Sequence, residues 1–145
     1  MPFQPQTVTL AGTISPVVIV ESAGQQAPTN IIDRTKPYIV RVTVSLTGSL
    51  VPFLAGQHFI TVARVESIGG GFEGNIGSPI STVITPVGSS WTATIDIVCP
   101  PAGPAGIDEG VYELVVLLRT FNVAGTPLGL TGYQSLEYIE FYNAP

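Results

Sequence analysis

One histidine, one cysteine and ten carboxylates are the residues of this chain that could enter acid–base, nucleophilic or metal chemistry. His58 is the only histidine, so no multi-histidine metal site can form within one chain. As a general base, its ring would need a nucleophile and an orienting acid beside it. No Gly-x-Ser-x-Gly elbow is present. Cys99 ends an apolar run and reads as a small strand-end hydrophobe rather than a reactive thiol; with no second cysteine, no intrachain disulfide can exist. Gly69, Gly71 and Gly74 match Gly-x-Gly-x-x-Gly, but dinucleotide binding at that spacing requires a helix after the glycines. No helical pattern follows, which leaves a mobile glycine-rich connection between strands. The acids are scattered, and only Asp108 and Glu109 are adjacent. A calcium ion takes roughly six to eight converging oxygens, which loops holding Asp33 and Asp108 could supply only in part. The expectation is therefore no catalytic residue, no cofactor and no metal, and a chain that is not an enzyme.

The elements available to position side chains read as strands. Residues 107–121, IDEGVYELVVLLRTF, carry turn chemistry in Asp108 and Gly110, and then Tyr112, Leu114, Val116 and Leu118 on one face at the two-residue period of a strand. Residues 37–46, PYIVRVTVSL, alternate most cleanly, with Tyr38, Val40, Val42, Val44 and Leu46 together. Upstream, residues 7–10 and 16–21 suggest a first strand split by a kink, with a polar loop over 22–29. A turn over 48–56 offers Val51, Phe53 and Leu54 as anchors. In the strand at 58–66, Phe59, Thr61, Ala63 and Val65 compete with Ile60 and Val62 for the inward side, which predicts a bulge or burial on both faces. A flexible connection over 67–79, a short strand at 80–85, a strand at 91–98 with Trp91, Ala93, Ile95 and Ile97 inward, and a last strand at 133–142 complete the chain.

Composition sets the outer bounds. A chain of 145 residues is one domain, 1–145, by the usual size rule. Charged residues are 10% of the total, against about 25% in typical globular domains, and apolar residues are 45%. Disorder is excluded as the main state, because disordered chains are charge-rich and poor in β-branched residues. The mean hydropathy of +0.44 is high, yet no apolar run reaches the roughly 18 to 20 residues of a spanning helix. The first residues, MPFQPQTVTLAG, lack the basic and apolar regions of a secretory signal. Taken as the native start, they point to the cytoplasm or to assembly inside a particle. A net charge of −5 with one lysine, Lys36, offers no basic stripe for phosphates, so nucleic acid is not an expected partner.

The order Asp108-x-Gly110-x-Tyr112 resembles the tyrosine corner of immunoglobulin-like sandwiches, in which a tyrosine hydroxyl bonds back to upstream backbone. With about seven strands at sandwich-like spacing, the resemblance implies an all-β, Greek-key immunoglobulin-like fold of antiparallel strands. Leu114 stands where that family's second cysteine would fall, Val40 and Val42 where the first would, and Trp91 lies in the fifth strand rather than the third. The resemblance is thus to cysteine-free bacterial or viral modules, and it implies little about function.

The second face of the late strands is the unusual feature. Val111, Val115, Leu117 and Phe121 lie opposite the core set of their strand, and Ile139 and Phe141 share one side of the last strand. Placed in one sheet, these six would form an apolar patch of a kind monomers rarely leave wet. Either the N-terminal segment or residues 122–132, with Val123, Leu128 and Leu130, cover that face, or a partner does. The scarcity of lysine, which commonly protects sheet edges, favours a partner. The expected function is a structural module that self-associates as a homo-oligomer or within a larger assembly. The alternative is a glycan- or peptide-binding module presenting Phe72, Tyr133, Tyr138 and Tyr142 beside the glycine-rich loop.

Overall fold

A computed structural model describes residues 9–21 and 29–143, which form two packed β-sheets. The elements are β1 (Ala11–Ile14), β2 (Val18–Glu21), β3 (Ile31–Asp33), β4 (Tyr38–Thr47), a single 3-10 turn (Val51–Leu54), β5 (His58–Ser67), β6 (Gly74–Val83), β7 (Ser90–Cys99), β8 (Gly110–Phe121) and β9 (Pro127–Tyr142). Counting the split first strand once, seven of these correspond to the strands expected from sequence, and β3 is additional.

The alternation in β4 sets the first sheet. Tyr38, Val40, Val42, Val44 and Leu46 are all buried, as their period requires. β7 pairs antiparallel with β4 along all ten residues, Tyr38 opposite Cys99 through Thr47 opposite Ser90. β1 and β2 share the other edge of β4, with Ile14 opposite Val44 and Val18 opposite Arg41. Both halves of the split strand therefore stay in one sheet. β1 begins at Ala11 rather than in 7–10; Thr9 and Leu10 precede it, and Thr7 and Val8 lie outside the described residues, as does nearly all of the expected 22–29 loop.

The second sheet runs β3-β9-β8-β5-β6. All its pairings are antiparallel except β3 with β9, where Ile31 lies opposite Glu140 and Asp33 opposite Tyr142. Ring contacts across the interior tie the sheets together: Trp91 of β7 stacks on Phe59 of β5 at 5.7 Å, and Tyr38 of β4 meets Phe141 of β9 edge-on at 5.6 Å. The bulge or two-sided burial expected in β5 is not found: β5 alternates, with Phe59, Thr61, Ala63 and Val65 inward, and pairs with β8 without a break, while the irregularity lies in β6, where Gly77, Ser78 and Pro79 stand opposite Val62 alone.

Three further expectations are corrected. β6 begins at Gly74, so half of the segment read as a flexible connection is strand, and Gly69 and Gly71 donate their N–H groups to Ser67 Oγ at 3.1 and 2.7 Å. Of the three turn anchors, Val51 is buried and Leu54 partly so, whereas Phe53 is exposed. Residues 122–132 do not lie over the sheet face. Asn122 through Thr126 form a turn, closed by Asn122 N–H to Thr126 O at 2.9 Å and Thr126 N–H to Asn122 Oδ1 at 2.9 Å. From Pro127 the chain runs back in the plane of the sheet beside β8, with Leu118 opposite Gly132.

Candidate interaction surface

The outer faces of the two sheets differ over most of their length, although Val20, Ile39 and the 62% exposed Val98 give the four-stranded sheet an apolar end of its own. On the four-stranded sheet, Arg41 grips Asp96 through two hydrogen bonds of 2.7 and 2.9 Å, Thr43 meets Thr94 at 3.2 Å, and Ser45 meets Thr92 at 3.1 Å. This is a hydrogen-bonded polar ladder of a kind suited to water.

The outer face of the five-stranded sheet carries an apolar centre among the charged side chains of Arg64, Glu66, Glu113, Arg119 and Glu140. In β8 the inward residues Tyr112, Leu114, Val116, Leu118 and Thr120 are buried, which turns Val111, Glu113, Val115, Leu117, Arg119 and Phe121 outward. Val111 is 42% exposed and Leu117 40%. Neighbouring strands extend this surface in register: Val62 lies opposite Leu117 and Ile60 opposite Arg119 on one side, and Tyr133 lies opposite Leu117 on the other. Ile60, Val62, Leu117, Arg119 and Phe121 line a shallow cleft of about 220 Å³. Over Phe121 the Arg119 guanidinium sits 5.4 Å from the ring centre, and His58 stacks against the same ring at 6.1 Å. His58 is thus a member of this surface.

Of the six residues expected to line the face, the structure gathers Val111, Val115, Leu117 and Phe121. Ile139 and Phe141 are core residues, 1% and 0% exposed. The cause is a bulge: Tyr112 pairs with Ile139 but Leu114 pairs with Leu136, so Glu113 faces two residues of β9 and the alternation of that strand reverses there. Upstream of the bulge Tyr133 and Ser135 point outward; downstream, Tyr138 and Glu140 do. Sequence reading missed the reversal because a uniform two-residue period has no marker for one extra residue. The sequence placed Arg119 on this face by the same period, but not its guanidinium over Phe121, which depends on side-chain packing.

The aromatic platform is only partly assembled. Tyr133 (71% exposed) and Tyr138 (67%) stand on the outer side of β9, with Tyr142 half-buried near its end, whereas Phe72 packs against the core.

The remaining chemical candidates have structural positions. Cys99 is buried, and burial pushes its thiol up to about 12. Burial also raises the phenol of Tyr38, whose hydroxyl faces the Cys99 thiol. Asp33 accepts the N–H of Thr35 at 2.9 Å and its hydroxyl at 2.7 Å, bonds that hold the carboxyl below its ordinary range. The hydroxyl of Tyr112 donates to the carbonyl of Asp108 at 2.8 Å, and Gly110 allows the backbone φ of 150° that admits this turn. Gly69, Gly71 and Gly74 lead from one strand directly into another, with no helix for a pyrophosphate. Among the described residues, no group of three or more His, Cys, Asp or Glu side chains converges, and no helix is long and apolar enough to cross a membrane.

No protein-family model matches the chain, and no curated protein does. Among solved structures, a crystal structure of a Bordetella pertussis protein provisionally named ApaA is similar over 94% of this chain and 97% of its own, at 12% sequence identity and a TM-score of 0.36. A likeness of that size supports no argument about fold or function.

Proposed function

We propose that this chain is a non-enzymatic structural module that self-associates through the outer face of its five-stranded sheet. The observation that carries this reading is the contrast between the two outer faces. The same fold bears a polar ladder on one side and Ile60, Val62, Val111, Val115, Leu117 and Phe121 on the other. A large apolar side chain fully removed from water contributes about 1.5 to 3 kcal/mol; Ile60, Val62, Val115 and Phe121 are already half-buried, so each contributes only part of that toward the cost of association. The strand order of the two sheets and the bond from Tyr112 to Asp108 support an immunoglobulin-like reading of the sandwich.

The test is molar mass by light scattering across a concentration series, for the natural chain and for a Val115→Glu, Leu117→Glu variant. The expected result is an oligomer that the double variant dissociates without loss of β-sheet circular dichroism. A monomeric natural chain at every concentration, or a variant of unchanged mass, overturns the reading.

A second reading, as a glycan- or peptide-binding module, is favoured by the exposed Tyr133 and Tyr138 on β9. It predicts hits on a glycan array or peptide library that are lost on Tyr138→Ala.

A further inference from the structure

The outer face of β8 reads Val111, Glu113, Val115, Leu117, Arg119, Phe121, and this order is self-complementary about Val116. Reversed and laid on itself, it sets Val111 against Phe121, Glu113 against Arg119 and Val115 against Leu117. Every apolar residue then meets an apolar one, and the acid meets the base. We propose, building on the self-association reading above, that the occupant of this face is a second copy of the chain. The copies are related by a two-fold axis that lies in the interface and crosses the strands at the level of Val116.

Two face-to-face sheets related by a two-fold axis have that axis in the interface plane, because only such a rotation turns one face toward the other. An axis along the strands would leave levels unchanged, stacking Glu113 on Glu113 and Arg119 on Arg119, with like charges opposed in a partly dry contact. Such juxtapositions strongly disfavour association. An axis across the strands reverses the levels and keeps the strand order, so β8 lies over β8 and β5 over β5. Their directions fall within about 30° of antiparallel, as in aligned sheet packing.

On the neighbouring strands the same operation fits near the axis and less well away from it, where Ile60 of each copy lies over Glu66 of the other. Val116 pairs with Ala63 of β5 and Gln134 of β9, so the axis passes over those residues too. Val62 of each copy then lies over the aliphatic stem of Arg64 in the other, and Tyr133 over Ser135. Glu66 lies directly opposite Glu113 within the sheet, an unfavourable pair in an isolated chain. The second copy brings Arg119 to this acidic end. Among the described residues, neither Glu113 nor Arg119 takes part in an ion pair within the chain, while Glu66 has only Arg64 at 3.8 Å.

The test uses the full chain and charge reversal. Glu113→Arg and Arg119→Glu each place like charges across the axis, and each should raise the dimer dissociation constant by about tenfold or more. An equimolar mixture of the two variants restores both contacts and should form a heterodimer close to natural affinity, read by sedimentation velocity with one variant fluorescently labelled. Glu113→Gln and Arg119→Gln read the same contact without introduced repulsion, each with an expected severalfold loss. If the reversed variants associate as the natural chain does, or the mixture fails to restore association while Val115→Glu, Leu117→Glu dissociates the chain, the two-fold arrangement falls and self-association stands. A natural chain that is monomeric throughout overturns both.

Discussion

The Tyr112 hydroxyl donates to the carbonyl of Asp108 at 2.8 Å, fastening the turn that enters β8 to the first buried residue of that strand. The ring itself is held separately, edge-on to Phe141 at 5.4 Å. Tyr112→Phe should therefore keep the packing and lose one hydrogen bond, a destabilisation of about 1 kcal/mol in urea unfolding. Tyr112→Ala also removes the ring, and the expected loss is about 3 to 5 kcal/mol. Equal losses in the two variants would contradict this division.

Gly77 and Gly88 both have left-handed backbone, with φ of 67° and 59°, but in different surroundings. A Cβ at Gly77 would lie 2.7 Å from Ile97 Cγ2 and 3.0 Å from Cys99 Sγ and the Val98 carbonyl, whereas one at Gly88 meets nothing within 4 Å. Gly88→Ala is expected to cost about 1 to 2 kcal/mol, from backbone strain alone. Gly77→Ala adds overpacking of about 1 to 3 kcal/mol to that strain. Comparison of thermal or urea midpoints for the two variants checks the ranking.

Burial pushes the Cys99 thiol from 9.0 up to about 12. The unfolded chain ionises first as pH rises, so this contribution to stability is whole below pH 9 and is lost progressively as pH climbs from 9.0 toward about 12. Urea midpoints measured over that window should fall for the natural chain and fall less for Cys99→Ala. Tyr38, whose phenol burial also raises, keeps part of the slope in both. A slope unaffected by removal of the thiol would count against the assignment.

Asp33 gives the opposite limb. Its carboxyl is held below the ordinary 3.8 chiefly by the backbone and hydroxyl bonds from Thr35. The stability it confers is present above that value and is lost as pH falls through the lower folded one. Acid unfolding of Asp33→Asn, followed by circular dichroism, should show a shallower pH dependence than the natural chain.

The strands with the strongest local signals were legible in the sequence. The alternation from Tyr38 to Leu46 placed β4 and its buried face, the Asp108-Gly110-Tyr112 spacing placed the turn bond, and the apolar second face of β8 followed from counting by twos. The features missed depend on partners distant in sequence. β3 is three residues long, too short for any period, and exists through its pairing with β9. The early part of β9, rich in glycine and opened by Pro127, reads as loop until β8 is set beside it. The inward turn of Ile139 and Phe141 needed the bulge opposite Glu113. The charge symmetry about Val116 was written in the sequence, but it acquires meaning only once Glu113 and Arg119 are known to share an unpaired outer face.

The pairing of β3 with β9 bears on the order in which the molecule assembles. β8 and β9 are joined by a five-residue turn and can zip early, because little chain entropy is lost in closing so short a loop. The parallel contact of Ile31 with Glu140 joins residues far apart in sequence, a closure that costs more chain entropy than the β8–β9 turn and is expected to form later. During synthesis β3 emerges long before β9 and waits without its partner, so its short length limits what it can offer to a wrong neighbour in that interval.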